Sequence, residues 1–542
     1  MFLKALISLL IFALGAARHP EAPVARGNTP PINPAEYTAE YWINEAQSGI
    51  KKRSQHDPDQ NVARNLIMFM GDGMSIPTMS AARTLKGQRA GNTGEEEELF
   101  FEGFLGVGLV KTYCVDHQVA DSTCTATAYL CGVKNNYGTV GVTAAVSRHD
   151  CEASLLEANR VQSIAEWALA AGRDVGIVTT TRVTHASPSG AYAKSSNRHW
   201  ENDAEVLSDS EDPDKCVDIA RQLVQMNPGK QFKVILGGGR REFLPNSTID
   251  EEGHVGTRSD GRNLIEEWQQ DKTNRDFSHS YVWNRDQLMN HFDSPPEYLL
   301  GLFEDTHMQY HLEANATTEP TLEEMTEIAI KMLSRNEKGF FLFVEGGRID
   351  QAHHANYVYL ALDETLEFEK AVIKASEMLP QDDTLTVVTA DHSHVVAFNG
   401  YTARGSSIVG LSDQPDSHGM PFMTMSYTNG PGARGTQGNG IRDDIREETD
   451  FGQLRWRSHA DVLLYEETHG GDDVAVFARG PHFRMFAGLY EQSQIPHVMA
   501  YASCIGPGLH APGCNAATTI HVTALLFAFA SLAKIILTNM IL

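Results

Sequence analysis

Histidines and aspartates recur at close spacing in three separate stretches of the sequence. The motif DHSH places Asp391 next to His392, and the motif RIDQAHH separates Asp350 from His354 by four residues, which is one helical turn. The motif ETHGGDD adds His469. Imidazole and carboxylate ligands without cysteine are typical of catalytic rather than structural zinc. Each motif is a weak signal alone, but together they predict a catalytic metal site.

Two possible nucleophiles, Ser122 and Cys124, lie two positions apart in the motif VADSTCTATAYLCG. A serine hydroxyl is a poor nucleophile at neutral pH, but zinc can remove its proton, as it does for bound water, whose pKa falls to about 7. The choice between the two residues therefore depends on what lies beside them.

Further acids follow short apolar segments. Asp72, Glu345, Asp350 and Asp391 each lie within a few residues of the end of such a segment. If these segments are strands of one parallel sheet, their carboxyl ends form the edge where ligands bind in open α/β folds. Four acids at the ends of three strands, with histidines nearby, predict a shared metal site.

The segments themselves are runs of four to seven apolar residues without alternation, which is typical of strands buried on both faces. They are NLIMFMGDG, DVGIVTTTRVTHAS, KVILGGG, GFFLFVEGGRID, DTLTVVTADHSH and DVAVFARG. Helical patterns lie between them, at 161–172, 323–336 and 359–378. Strands that alternate with helices predict a doubly wound α/β fold. The segment 400–466 is rich in Gly, Ser, Asp and Arg, which predicts an inserted surface subdomain.

Size and charge limit the possible partners. The chain has 542 residues, 42% of them hydrophobic, and a formal net charge of −26 at pH 7. Nucleic acid is not an expected partner, because a phosphate backbone requires basic patches. A small anionic substrate remains compatible, since metal ions can supply local positive charge.

Both ends of the sequence predict the secretory route. Residues 1–17 have the pattern of a signal peptide, and residues 516–542 resemble the tail of a GPI-anchor signal, which is removed. The attachment residue is Asn515, Ala516 or Ala517. A C-terminal membrane span is the alternative, which the lysine and asparagine inside the tail disfavour. We therefore expect a protein anchored to the outer face of the cell membrane.

The secretory route has consequences for asparagines and cysteines. Asn246 and Asn315 begin glycosylation sequons. The seven cysteines leave at least one unpaired, and some should be bridged in an oxidising compartment. Cys504 and Cys514 are close enough in sequence to close a short loop.

The motifs, taken in order, resemble those of the animal alkaline phosphatases over residues 35–510. The matching stretches are MGDGM, VADS with TATAYLCGVK, VTTTRVTHASPSG, SNRHW, ILGGGR, GLFE, FLFVEGGRID, VTADHSH, GYTARGSSI and ETHGGDDVAVFARGP. The resemblance implies a three-layer αβα sandwich around a large, mostly parallel sheet, with 400–466 as a crown-like subdomain. It also implies a homodimer that hydrolyses phosphate monoesters.

The resemblance assigns roles to the candidate residues. Ser122 would form a phosphoserine, with one zinc beside it held by Asp72, Asp391 and His392. The other zinc would be held by Asp350, His354 and His469. Asp72 would also reach a magnesium, with Ser187 and Glu345.

Other residues would surround these ions. His185 would lie near the magnesium through water, Arg198 would grip the phosphate, and His394 would support the ligands. A structural calcium is implied by matches at Glu252, Phe303 (through its carbonyl), Glu304 and Glu319. The match at Glu252 is the weakest, because the loop around it is shorter here.

The resemblance also implies the cysteine pairing. Cys151–Cys216 and Cys504–Cys514 would be bridged, and Cys114, Cys124 and Cys131 would be free. Cys124 would then be a small apolar residue beneath the site, without a catalytic part.

Three positions depart from the family pattern. Thr123 follows the nucleophile where a smaller residue is preferred, and it could change the backbone approach to phosphate. Gln351 replaces a histidine common in mammalian members, from which we expect tuning rather than loss of activity. Glu319 is an aspartate in many relatives, which changes reach but not charge.

The implied mechanism follows from the ligand set. Two metals about 4 Å apart can clamp the attacking and leaving oxygens, and phosphoryl transfer requires charge neutralisation more than covalent chemistry. The sequence disfavours three alternative functions. A sulfatase lacks support because no Cys/Ser-x-Pro-x-Arg motif is present. A phosphodiesterase lacks the arginine and magnesium set that Arg198, Ser187 and Glu345 match. A catalytically inactive surface receptor would have lost a ligand, and none is missing.

Overall fold

The computed structural model describes residues 61–436, 438, 440–510 and 514. The expected signal peptide at 1–17, the candidate attachment residues and the tail at 516–542 lie outside the described residues, as does the beginning of the expected catalytic domain at 35–60. Within the described part of the chain, no helix has the length and apolar character needed to cross a membrane.

The described chain contains fifteen strands. In chain order they are β1 Asn65–Gly71, β2 Gly106–Lys111, β3 Asp174–Arg182, β4 Val234–Gly238, β5 His279–Val282, β6 Tyr298–Leu302, β7 Phe340–Gly346, β8 Thr384–Ala390, β9 Ser393–His394, β10 Val396–Phe398, β11 Met425–Gly430, β12 Ala460–Leu463, β13 His469–Gly470, β14 Val474–Arg479 and β15 Gly488–Glu491.

The same residues form thirteen α-helices, joined in places by short 3-10 turns. They are α1 Ile76–Arg89, α2 Ser122–Cys131, α3 Cys151–Leu155, α4 Ile164–Ala170, α5 Ala186–Ser189, α6 Asp203–Ser208, α7 Ile219–Gln225, α8 Leu264–Asn274, α9 Arg285–Met289, α10 Leu322–Leu333, α11 Arg348–His354, α12 Val358–Met378 and α13 Ile495–Ser503.

Ten strands form one central sheet in the order β15, β2, β14, β8, β1, β7, β3, β4, β6, β5. Its strand pairs are parallel except those of β14, which runs antiparallel to both β2 and β8. Every residue of β1, β7 and β8 is buried, as expected for apolar strands covered on both faces. The expected α/β class with a mostly parallel sheet is confirmed.

Two groups of helices cover the sheet. Helix α12 packs with α1, α10 and α11, whereas α13 packs with α2 and α4. Both groups contain helices that contact β1 and β7, so the sheet lies between helical layers.

The segment 400–466 contains most of a small separate sheet, in which β11 pairs with β10 and β12. It has its own apolar cluster of Met423, Ile445 and Trp456, with Phe451 packed against the tryptophan ring. A long stretch of weak periodicity is thus held together by a few large side chains.

Candidate active site

The carboxylates expected at the sheet edge lie together there. Asp72 directly follows β1, Asp391 directly follows β8, and Glu345 is near the end of β7. Met70 is paired with Glu345 on one side and Thr389 on the other, so the three strands end at the same level. All three carboxylates are fully buried.

The three residues expected to hold the zinc beside the nucleophile are brought together. His392 Nε2 lies 3.2 Å from Asp391 Oδ2 and 3.5 Å from Asp72 Oδ1. Asp391 Oδ1 accepts the backbone N–H of Gly73 at 2.9 Å, which fixes the carboxylate. Ser122 Oγ lies 3.2 Å from His392 Nε2, so the candidate nucleophile borders this cluster.

The second expected zinc set also converges. The Nε2 atoms of His354 and His469 are 3.0 Å apart, and each lies 3.4 Å from Asp350 Oδ1. The other ring nitrogens face backbone carbonyls. His354 Nδ1 is 2.5 Å from the carbonyl of Glu467, and His469 Nδ1 is 2.7 Å from that of Ala120. Donation from Nδ1 leaves the Nε2 lone pairs free to bind a metal.

His394 lies behind this set, between two carboxylates. Its Nε2 is 2.8 Å from Asp350 Oδ1, and its Nδ1 is 2.5 Å from Glu467 Oε2. Burial alone would lower the pKa of His394, but Glu467 and Asp350 raise it to about 10. The imidazolium therefore holds Asp350 in place through a charge-assisted hydrogen bond.

Buried polar atoms near the sheet edge fit further cation ligation. Within the described part of the chain, both Asp72 oxygens, Ser187 Oγ, Glu345 Oε1 and His185 Nδ1 are buried without a hydrogen-bond partner. Burial, with the charges of Asp350 and Asp391, raises the pKa of Asp72 well above its ordinary value. Bound cations would compensate such crowding of carboxylates.

The chemistry of the donors matches the expected ions. Asp72, Asp391 and His392 offer the carboxylate and imidazole ligands of zinc, as do Asp350, His354 and His469. Ser187 and Glu345 offer oxygens, which magnesium prefers. The residues present therefore fit metal ions at these positions.

Arg198 is positioned by a carboxylate that the sequence analysis missed. Its Nη1 donates to Asp121 Oδ2 at 3.0 Å, and its Nη2 lies 3.4 Å from His185 Nε2. Burial would raise the pKa of Asp121, but Arg198 and a hydrogen bond from Thr123 lower it below its ordinary value. Asp121 therefore stays ionised and orients the guanidinium.

Asp121 also begins helix α2, which carries Ser122 as its first residue. Its side chain accepts the backbone N–H groups of Thr123 and Cys124, each at 3.2 Å. The helix ends at Gly132, which adopts a left-handed φ of 74°. An aspartate immediately before a helical run is a recognisable N-cap, so the sequence contained the signal for this residue.

Glu467 is the second functional residue that the sequence analysis missed. Its carboxylate accepts from Val395 N at 2.8 Å as well as facing His394, and its carbonyl faces His354. The sequence contained a hint of this role, because Glu467 lies two residues before His469 in the motif ETHGGDD, of which only the histidine was considered.

Two departures from the family pattern have structural explanations. Thr123 Oγ1 donates a short hydrogen bond to Asp121 Oδ2, which helps to hold that carboxylate. The Gln351 side chain accepts from Arg348, and its Nε2 lies 2.9 Å from His307 Nδ1. Gln351 thus joins a polar network next to the site without replacing any expected metal ligand.

The expected calcium carboxylates lie near one another, because burial together with Glu304 raises the pKa of both Glu252 and Glu319. Gln309 links Glu304 and Glu319, because its side chain donates to Glu304 Oε1 at 3.3 Å and its backbone N–H to Glu319 Oε2 at 3.0 Å. Burial and Glu304 raise the pKa of Glu319 to about 9. Phe303, which precedes Glu304, is fully buried. Glu252 forms an ion pair with Arg240.

The cysteine pairing expected from the family is right at two bridges and wrong at a third. Cys151–Cys216 and Cys504–Cys514 are bonded, as expected. Cys114 and Cys124 were expected to be free, but they are also bonded, with Cα atoms 5.8 Å apart. The pairing depends on β2, which the apolar runs did not predict and which ends three residues before Cys114. Cys131 alone remains a buried free thiol.

Both glycosylation sequons lie at the surface. Asn246 and Asn315 are exposed. Asn315 Oδ1 accepts from the hydroxyl of Thr317, the third residue of its sequon, at 2.7 Å.

Comparison with known proteins gives a consistent result. The family model described as alkaline phosphatase matches residues 63–505. The chain is 60% identical to the membrane-bound alkaline phosphatase of Bombyx mori over 496 residues, 91% of this chain and 90% of the relative. It is 48% identical to the tissue-nonspecific alkaline phosphatase isozyme of Rattus norvegicus over 498 residues, 90% of this chain and 93% of that protein.

Solved structures support the fold. The alkaline phosphatase of Thermus thermophilus is similar with a TM-score of 0.58 at 22% identity, over 84% of this chain and 94% of that one. The enzyme of the Antarctic bacterium TAB5 gives 0.55 at 20% identity, over 82% and 99%. The matches over most of the chain confirm the expected family and imply a metal-dependent site. The chain belongs to the alkaline phosphatase family, and its activity is the hydrolysis of phosphate monoesters.

Proposed function

We propose that the enzyme transfers the phosphoryl group of its substrate first to Ser122 and then to water. The observation that supports this order is the place of Ser122 Oγ, at the start of α2 and 3.2 Å from His392 Nε2. A nucleophile at this point faces the cluster of Asp72, Asp391 and His392. Water attacking directly would leave a buried, well-positioned serine without a part in the reaction.

The proposed cofactors are two zinc ions and one magnesium ion. The residues that would hold zinc are Asp72, Asp391 and His392 in one set and Asp350, His354 and His469 in the other. Asp72, Ser187 and Glu345 would hold magnesium, with His185 nearby through water. When bound, these ions supply the positive charge that activates the Ser122 hydroxyl and stabilises the leaving oxygen.

The protein's own residues position the phosphoryl group. Arg198 offers a planar pair of N–H donors to two phosphate oxygens, and Asp121 holds the guanidinium in that orientation. The N-terminal end of α2 favours negative charge beside Ser122. His394 and Glu467 hold Asp350 from behind. Since these groups grip the phosphoryl group rather than the leaving group, we expect broad specificity for monoesters.

Further properties are proposed on narrower support. A calcium ion would bind at Glu304 and Glu319, whose carboxylates share one hydrogen-bonding residue, with the Phe303 carbonyl and Glu252 as the less supported ligands. Adding calcium to Glu319→Gln and to the unmodified enzyme, with heat stability as the readout, tests this site.

We also propose GPI anchoring to the cell membrane and a homodimer. The 60% identity to a relative described as membrane-bound supports membrane association. The exposed sequon asparagines are compatible with glycosylation on the secretory route. The small separate core of 400–466 supports its assignment as a subdomain, which would be crown-like and lie near the dimer contact. Release from membranes by a GPI-specific phospholipase and sizing by light scattering are the respective tests.

The Ser122→Ala variant tests the proposed route. The expected result is loss of hydrolysis of a chromogenic phosphate monoester, with zinc and magnesium contents equal to those of the unmodified enzyme. Ser208→Ala, which changes an exposed serine at the end of α6, is the control and should keep its activity. Retained turnover in Ser122→Ala would overturn the phosphoserine route.

A further inference from the structure

A disulfide ties the catalytic helix to the edge of the sheet. Cys114 lies three residues after β2, and Cys124 is in the first turn of α2. Both half-cystines are almost fully buried, at 2% exposure, and they pack with Ala120 and Tyr137 in a small apolar cluster.

The loop that this bond closes contains three successive residues that contact the site. The carbonyl of Ala120 accepts from His469 Nδ1 at 2.7 Å. Asp121 accepts from Arg198 at 3.0 Å, and Ser122 lies beside His392. The orientation of a candidate ligand, the phosphate-binding arginine and the nucleophile thus all depend on one short segment.

Little burial holds the rest of that loop. Residues 115–119 are all exposed. Its polar contacts run to the following segment, from Val115 N to Asn135 O and from Tyr137 N to Asp116 Oδ1, both at 2.9 Å. Exposed segments with few apolar contacts open locally at low cost. The covalent bond restrains this one directly, because it fixes the start of the loop against the first turn of α2.

We propose that the Cys114–Cys124 disulfide positions Ser122 and Arg198 for phosphoryl transfer, an inference that rests on the proposed role of Ser122. A displacement of about 1 Å in a reacting group can cost roughly 100-fold in rate. The bond limits such displacement at Cys124, two residues after the nucleophile and three after its N-cap. The disulfide is thus a positioning device for the reaction, not only a brace of the fold.

The test compares two disulfides that span equal lengths of chain. Cys114→Ala/Cys124→Ala removes the proposed positioning bond, and Cys504→Ala/Cys514→Ala removes the other bridge with a sequence separation of 10. We expect kcat of the first variant to fall about 10-fold or more while zinc and magnesium contents stay unchanged. The second variant should keep kcat within about twofold of the unmodified enzyme.

A coupling measurement separates positioning from general stability. If the bond acts through Asp121 and Arg198, its removal in an Asp121→Asn background should cost much less than in the unmodified enzyme. Equal costs in both backgrounds would contradict the proposal, as would unchanged kcat in the variant without the bond. A loss of metal that accompanies the fall in kcat would also overturn it, because the bond would then act on metal retention.

Two further variants keep the test decisive. If the double variant does not fold, Cys114→Ala breaks the bond and leaves the sequence of α2 intact, so that the same kinetic comparison applies. Ser122→Ala, measured in parallel, distinguishes failure of the phosphoserine route from failure of the positioning role. If Ser122→Ala is active, the proposed phosphoserine route is wrong. If Ser122→Ala is inactive but Cys114→Ala/Cys124→Ala is fully active, only the positioning role of the disulfide is wrong.

Discussion

Replacing Asp121 with asparagine is a sharp test of how the arginine is held. The Oδ2 atom of Asp121 accepts from Arg198 Nη1 at 3.0 Å, from Thr123 N at 3.2 Å and from the Thr123 hydroxyl. Asparagine keeps one acceptor, which can still receive Cys124 N and Gly138 N. At the other position, its NH2 group would face three donors, so the charge-assisted bond to Arg198 is lost.

The size of the effect follows from that bond. A hydrogen bond between charged groups contributes about 1.5–3 kcal/mol. Because each 1.4 kcal/mol is about a tenfold change, kcat/KM for a phosphate monoester should fall roughly 10- to 150-fold. Inhibition by inorganic phosphate should weaken as well, since the same guanidinium grips the product.

The assay is steady-state hydrolysis with metal content measured on the same samples. Asp116→Asn is the matched control, because Asp116 is an exposed carboxylate of the same loop whose partners, Tyr137 N and His117, do not belong to the candidate site. It should change kcat/KM by less than about twofold. A variant Asp121→Asn with full metal content and kcat/KM within twofold of the unmodified enzyme would refute the role given to Asp121.

Three further predictions concern the surroundings of the site. Glu467→Gln weakens the buried pair with His394, so the free energy of unfolding, measured by chemical denaturation, should fall by about 1.5–3 kcal/mol. Glu466→Gln, which changes the exposed neighbour, is the control and should have little effect. Equal stabilities of the two variants would contradict this prediction. Removal of metals by a chelator should lower Tm in calorimetry, because the carboxylates at the sheet edge then lose the positive charge that compensates their repulsion. Adding zinc and magnesium should restore Tm. An unchanged Tm would show that the proposed metals do not stabilise the folded state. The pKa of Glu319 is raised to about 9, so its contribution to stability is present at pH values below about 4.3 and is lost as pH rises toward 9. Calcium, which binds the ionised form, should therefore raise Tm more at pH 9 than at pH 6, and Glu319→Gln should abolish this difference; an equal shift at both pH values would show that calcium does not bind there.

The central strands were predictable because a short, continuous apolar run is typical of a strand that is buried on both faces. Segments such as NLIMFMG in β1 and FFLFVEG in β7 are apolar without alternation, and both are buried throughout. The acids that follow them were expected at one sheet edge, and the register of β1, β7 and β8 places them there. Local sequence was sufficient to predict these strands, because few other structures bury an apolar segment of this length on both faces.

Other elements depended on contacts that local sequence does not encode. DVAVFARG was expected as another buried strand of a parallel sheet, but β14 runs antiparallel to both of its neighbours. Strand β2 alternates buried and exposed residues over GVGLVK, and two of its six residues are glycine, so no apolar run marked it. The Cys114–Cys124 bond could not be foreseen without that strand.

The candidate site was predicted through residue types that suit metal ions, with His394 behind them, but the two acids that hold Arg198 and His394 were missed. Asp121 and Glu467 act on Arg198 and His394 at distances that only the folded chain creates. Both are ordinary acids in sequence, one at a helix start and one near a histidine. Their importance follows from burial next to a positive group, which spacing alone does not reveal.

The most direct test of the account is to locate the phosphoryl group on the enzyme during turnover. The enzyme is mixed with a phosphate monoester, quenched in acid, digested and analysed by mass spectrometry for covalent phosphate. Phosphate is expected on Ser122, in the peptide that contains VADSTCTATAYLCG, and none is expected in Ser122→Ala. Phosphate on another residue, or rapid turnover in Ser122→Ala, would contradict the central claim that Ser122 is the nucleophile.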